Sequence, residues 1–328
     1  EGAGLYLTDA THATLDNTAV ISNTFQSTGR TSGGGLFLIG SSYLTMTNGS
    51  SINQHATSAN SSSRGGGIYA SWSTVTLDAS TVSNNASTVG GGLRLWGGST
   101  LRALNGTRII FNRTTSGDGG GIAAEGPVSI HIDRSELYRN TANGGSGGAV
   151  YSHNASVKVE NTYFHHNSAV GGGAVFVGGA GGAGEINNAL IYDNTSTGGI
   201  GAGIRLDTGA VTMTHVTLAD NVGGWAYSQV GSASGVARNS IAWGNGGGFW
   251  VGGGSLSASC NIDQSGGYGV NVNPNFVAPG VADYHLQWGS PALDRCLTHG
   301  LPIDLDDVPR PVGSGYDAGA FEYPHGLT

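Results

Sequence analysis

Residues 147–167 read Gly147-Gly148-Ala149-Val150-Tyr151-Ser152-His153-Asn154-Ala155-Ser156-Val157-Lys158-Val159-Glu160-Asn161-Thr162-Tyr163-Phe164-His165-His166-Asn167. A glycine pair opens the stretch, apolar residues alternate through its middle, and Phe-x-x-Asn closes it. The opening phrase recurs as Gly35-Leu36-Phe37, Gly67-Ile68-Tyr69, Gly92-Leu93-Arg94, Gly121-Ile122-Ala123, Ala174-Val175-Phe176 and Gly203-Ile204-Arg205. The closing asparagine recurs as Asn23, Asn85, Asn112, Asn140, Asn167, Asn194 and Asn221, with His55 in the second place. Successive steps are 32, 30, 27, 28, 27, 27 and 27 residues.

A unit this short, holding brief alternating strands, cannot bury its apolar face alone and must stack. Stacking gives an all-β, right-handed parallel β-helix of the pectate-lyase-like kind, with about nine coils of ~27 residues spaced ~4.8 Å apart. Apolar residues form internal columns, and the asparagines form a ladder of side-chain amides at one corner. Glycine marks the other corner, where a Cβ would clash. Residues 1–250 carry the repeats, and 251–328 read as the last coil and a closing segment of the same domain. The last inward residue of each middle strand precedes the next by five, as in Leu15/Val20, Leu77/Val82, Leu104/Ile109, Ile132/Leu137 and Val236/Ile241. Met46/Ile52 is one longer.

Composition narrows the function classes. Glycine takes 60 of 328 positions without a Gly-X-Y period, which excludes collagen. A net charge of −8 gives no footprint for nucleic acid. No apolar run is long enough to span a membrane. A Ser/Thr/Asn-rich chain with one lysine, Lys158, suits a secreted, extracellular or cell-surface place, where Cys260 and Cys296 would pair as a disulfide. The opening at Glu1 falls mid-repeat, as expected of a mature or trimmed chain.

Gly147-Gly148-Ala149-Val150 and Phe164-His165-His166-Asn167 resemble the GGA-I and F-x-x-N repeats of polymorphic outer-membrane proteins. Those are bacterial adhesins, so the resemblance implies a surface β-helix. Asn273-Pro274-Asn275-Phe276, Gly289-Ser290-Pro291-Ala292-Leu293-Asp294 and Asp317-Ala318-Gly319-Ala320-Phe321-Glu322 resemble the end of the choice-of-anchor class of secreted bacterial β-helix proteins. Asp307 and Ala318 depart from that class, which has Gly and Ile there. Arg310 with Asp294, Asp317 and Glu322 is expected to form an ion-pair cluster closing the last coil's edge. A calcium site from Asp304, Asp306, Asp307 and Asp317 is the alternative, although their spacing fits no standard calcium loop. No other cofactor is expected.

Two outward columns carry the chemistry. Tyr6, Phe37, Tyr69, Arg94, Tyr151, Phe176 and Arg205 follow the glycine phrases, giving a platform for sugar rings or a self-stacking ladder. On the next face His131, Asp133, Lys158 and Glu160 cluster with Glu185. Asp133 and Glu160 would suit the carboxylate pair of a glycosidase, and Lys158 the base of a lyase. Acidic neighbours should instead raise the lysine's pKa and favour a salt-bridge cluster. The leading expectation is a structural or adhesive surface protein whose partner is a polysaccharide or a cell-surface glycan. A polysaccharide lyase or glycoside hydrolase, and a filament subunit self-associating end to end, are the rivals.

Overall fold

A computed structural model describes residues 4–25, 32–57 and 64–324. The first seven coils contribute strands to three parallel sheets, and the later coils to two. The first sheet has ten strands, from Leu5–Leu7 to Gly247–Val251. The second has 17, mostly two per coil on either side of a bend, and the third has seven, from Thr24–Phe25 to Thr195–Ile200. Stacking is in register: Leu36, Ile68, Leu93, Ile122, Val150, Val175 and Ile204 pair in succession and are all fully buried. Burying each such side chain is worth about 1.5–3 kcal/mol, and the columns together make one tubular core. No helix among the described residues is long and apolar enough to cross a membrane.

The glycine corner is steric. Gly147 sits at φ 69°, and a Cβ on Gly148 would lie 2.1 Å from the Gly173 carbonyl oxygen of the next coil. The asparagine corner is a hydrogen-bond chain. Asn167 Nδ2 donates to Asn194 Oδ1 at 3.0 Å and to the Leu137 carbonyl at 2.8 Å. Its Oδ1 accepts from Asn140 Nδ2 and Asn140 N–H at 3.0 and 2.9 Å. The same contacts link Asn85, Asn112, Asn140, Asn194 and Asn221. The ladder continues to Asn245 and Gln264, which periodicity does not reveal because the steps shrink to 24 and 19 residues. At its other end His55 takes an asparagine's place: Nδ1 accepts from Asn23 N–H, Nε2 donates to the Val20 carbonyl, and the ring is buried.

Two coils are phased differently from the sequence expectation. Leu77 pairs with Ala103, and Met213 with Ala237, so Ala103 and Ala237 point inward rather than Leu104 and Val236. An Asn105-Gly106 turn lengthens the first of these coils, as Asn48-Gly49 lengthens the coil of Met46. Ile241 faces outward and is nevertheless fully buried, because the closing segment covers it.

The closing segment does not sit on the last coil's edge, as expected, but lies along the tube's side. The turn after Asp263 serves the edge instead. The Asp263 carboxylate accepts the N–H groups of Phe249, Ser265 and Tyr268, and Tyr268 packs on the tubular core. From there the chain forms an antiparallel hairpin, Phe276–Ala278 with Asp283–Leu286, and returns over earlier coils as a strap. Its fastenings follow one line of second-sheet bends. Cys260 forms a disulfide with Cys296, and Asn239 Nδ2 donates to the Thr298 carbonyl at 2.9 Å. Asn188 Nδ2 reaches the Ile303 carbonyl at 3.3 Å, and Arg134 pairs with Asp307 at 2.7 Å. The reason for this route is apolar: Leu190, Ala219, Ile241 and Ile262 form an outward patch that Phe276, Tyr284, Leu286 and Phe321 cover in a second core.

Within the strap Arg310 is buried, donating to the Gly319 carbonyl at 3.0 Å and lying 3.6 Å from Glu322. Burial lowers its pKa to about 10 and raises that of Glu322 to about 7. Asp317 and Glu322 also bind backbone N–H groups, so the cluster fastens the strap's own loops.

Candidate functional site

The expected ionisable face stands on the outer side of the second sheet. The register places His131 beside Lys158 and Asp133 beside Glu160, and Lys158 beside Glu185. His131 Nε2 and Lys158 Nζ both reach Glu160 Oε2, at 2.9 and 2.8 Å. The Lys158 pKa is raised, first by that hydrogen bond. Burial works to raise Glu160, but the bonds from Lys158 and His131 outweigh it and hold the carboxylate below its usual range. Asp133 is turned to Asn161, whose Nδ2 donates to it at 2.8 Å. Glu185 accepts from Asn187 at 2.7 Å. With Ala103 inward, Arg102 joins the column beside His131, a neighbour hidden by the shifted phase.

This face is the floor of a groove of about 860 Å³ that runs across successive coils. His131, Lys158 and Glu185 occupy one part, and Thr212, Thr214 and Arg238 the other. One wall is not part of any coil: it is His299-Gly300-Leu301 of the strap, held between the Asn239 bond to Thr298 and the Asn188 bond to Ile303. Short coil loops gave no sign of a walled groove, and a wall from a distant segment has no periodic signature.

The first-sheet column is a ladder whose ring faces lie against one another. Tyr6 and Phe37 stack at 5.3 Å, Phe37 and Tyr69 at 5.0 Å, and Tyr151 and Phe176 at 4.9 Å, all within 10° of parallel. Arg205 covers Phe176 and is paired with Asp207. Arg94 is 3% exposed and bound to Glu125 at 2.7 Å. Ring faces turned to a stacked neighbour are therefore closed to solvent, and Arg94 and Arg205 are already engaged. A second ladder, Tyr138–His165–Tyr192, stacks at 4.5 and 4.8 Å and ends against Tyr284 of the hairpin. A groove of about 550 Å³ lies beside it, lined by Arg108, Glu136, Tyr163 and Leu305. Glu136 is held at about 2, first by His165 and then by Arg108.

The four aspartates weighed for calcium do not converge. Asp304 accepts the N–H groups of Asp306, Val308 and Glu322, and Asp317 those of Asp294 and Tyr323. Asp306 pairs with His285 and Asp307 with Arg134. Among the described residues no three His, Cys, Asp or Glu side chains gather as metal ligands.

A family model described as right handed beta helix region matches residues 3–182 and, overlapping them, 103–273. No curated protein and no solved structure matches the chain.

Proposed function

The chain belongs to the right handed beta helix family, and from that premise we propose a secreted or cell-surface structural protein that holds a polysaccharide chain without cleaving it. The observation that carries this reading is the second-sheet groove: an open trough, floored by hydroxyls and amides from successive coils, with its lysine already bonded to a carboxylate. Ser129, Ser156, Asn187, Thr212 and Thr214 offer sugar hydroxyls a row of partners along the tube. A lyase base must give up its proton near neutral pH, and Lys158 is pushed the other way. The Cys260–Cys296 disulfide supports an oxidising, extracytoplasmic place. The aromatic ladders serve the fold in this reading, because stacked faces are not open to a sugar ring.

The test is affinity electrophoresis over a polysaccharide panel, paired with assays for new reducing ends and unsaturated ends. Retardation of the parent, lost when Thr212→Trp fills the groove, with no new ends, is the expected result. New ends produced by the parent but not by Lys158→Ala would replace this reading with a polysaccharide-cleaving enzyme.

A further inference from the structure

Resting on that reading of the groove, we propose that its end at Arg238 and His299 is an anion subsite. There the Arg238 guanidinium takes a carboxylate or sulfate-ester group carried by one sugar unit of the bound chain.

Among the residues that line the groove, Arg238 is the arginine, and it differs from five arginines placed elsewhere on the tube and strap. Arg94, Arg108, Arg134, Arg205 and Arg310 each pair with a carboxylate. The half-buried Arg238 makes no ion pair and no side-chain hydrogen bond among the described residues, in a chain of net charge −8. Its in-register neighbours are Thr214 and Ser259, so no carboxylate flanks it on the sheet. It lines the same groove as His299, which the strap carries. A guanidinium fork matches the two oxygens of a carboxylate or sulfate and is weakly hydrated, which favours such pairing in a recess.

The rest of the groove gives the subsite direction. Glu160 and Glu185 lie at the Lys158 end, and Glu160 already engages the lysine and His131. An anionic unit placed there meets like charge; placed at Arg238 it meets an open cation. Thr212, Thr214 and Asn187 between the two ends accommodate neutral units. A bound chain would therefore lie along the tube with its charged unit on the strap side.

The experiment measures affinity of the parent, Arg238→Gln and Arg238→Lys for a neutral glucan, a polyuronate and a sulfated galactan, at low and high salt. The anionic polymers should bind the parent about tenfold more tightly than the neutral one, with an advantage that salt erodes. Arg238→Gln should remove the advantage of the anionic polymers over the neutral one, while Arg238→Lys keeps part of it. The uronate and sulfate arms separate the two anionic groups. Anionic binding untouched by Arg238→Gln, or lost equally for neutral and anionic polymers, overturns the subsite while the groove reading stands. Failure of all three polymers to bind the parent overturns the groove reading and the subsite with it.

Discussion

Lys158 and His131 share one oxygen of Glu160, at 2.8 and 2.9 Å, on adjacent coils. A single carboxylate thus gathers a lysine and a histidine side chain on an outward face. Exposed pairs of this kind contribute at most about 1 kcal/mol each. Glu160→Gln should therefore shift the urea midpoint slightly. By freeing Lys158 and His131 it should strengthen binding of anionic polysaccharide. Weaker anionic binding in this variant would show that Glu160 contacts the ligand directly.

The asparagine ladder carries more of the fold. Asn167 is fully buried and occupies both of its donors and both lone pairs of its Oδ1. Asn167→Ala leaves two donors of Asn140 without their acceptor and takes the side-chain donor from the Leu137 carbonyl and from Asn194 Oδ1, which keeps the residue-167 N–H. Each unpaired buried group costs about 1–3 kcal/mol, so a loss of roughly 3 kcal/mol or more in urea unfolding is expected. A loss below about 1 kcal/mol would mean that water takes the side chain's place.

His55 is the acid-sensitive rung. Burial lowers its pKa, against the nearby carbonyl oxygens of Val20 and Asn23, which raise it. The unfolded chain therefore takes up a proton first as pH falls below ~6.5, the ordinary histidine value. Its contribution is full above that pH and is lost as pH falls toward the lowered folded value. His55→Asn supplies the amide found in the other rungs and removes this proton uptake. Between pH 7 and pH 5 the variant should lose less stability than the parent, measured by urea titration at each pH. Parallel losses would assign the acid sensitivity elsewhere, first to His215, which burial pushes down further.

The disulfide fixes a strap. Cys260 and Cys296 are 36 residues apart, and closing such a loop is worth about 4 kcal/mol in the chain-entropy model. Cys296→Ser should lower stability by up to that amount. It should also speed exchange of the Asn239 side-chain amide, whose partner Thr298 is two residues from the bridge. Polysaccharide affinity should fall with it, because His299-Gly300-Leu301 forms the groove wall. Unchanged affinity would show that the floor alone holds the ligand.

The coil, its glycine corner and its asparagine ladder were legible because each repeats with a fixed step, and in-register stacking turns a step in sequence into a column in space. The phase failed where the pattern was degenerate. Ala103-Leu104 and Val236-Ala237 each offer two apolar residues in a row, and only the register decides which points inward. That one-residue choice hid Arg102 and Arg238, the two arginines of the polar face. Ile241 satisfied the spacing rule while facing outward, since burial beneath the strap looks the same in sequence as burial in the tube.

Sequence alone thus determined the parallel β-helix, its two corner ladders and the clustering of His131, Lys158 and Glu160. All are products of local alternation and a constant repeat. Tertiary structure decided where the closing segment lies, and therefore that the ionisable face is a groove and not an open sheet. The fastening of Arg134 to Asp307 joins residues 173 apart, and the His215 contact with Gly319 spans 104. Contacts made once, over such separations, leave no period to read. They follow from a patch of outward apolar residues that needs a cover, and from the single path by which this chain supplies one.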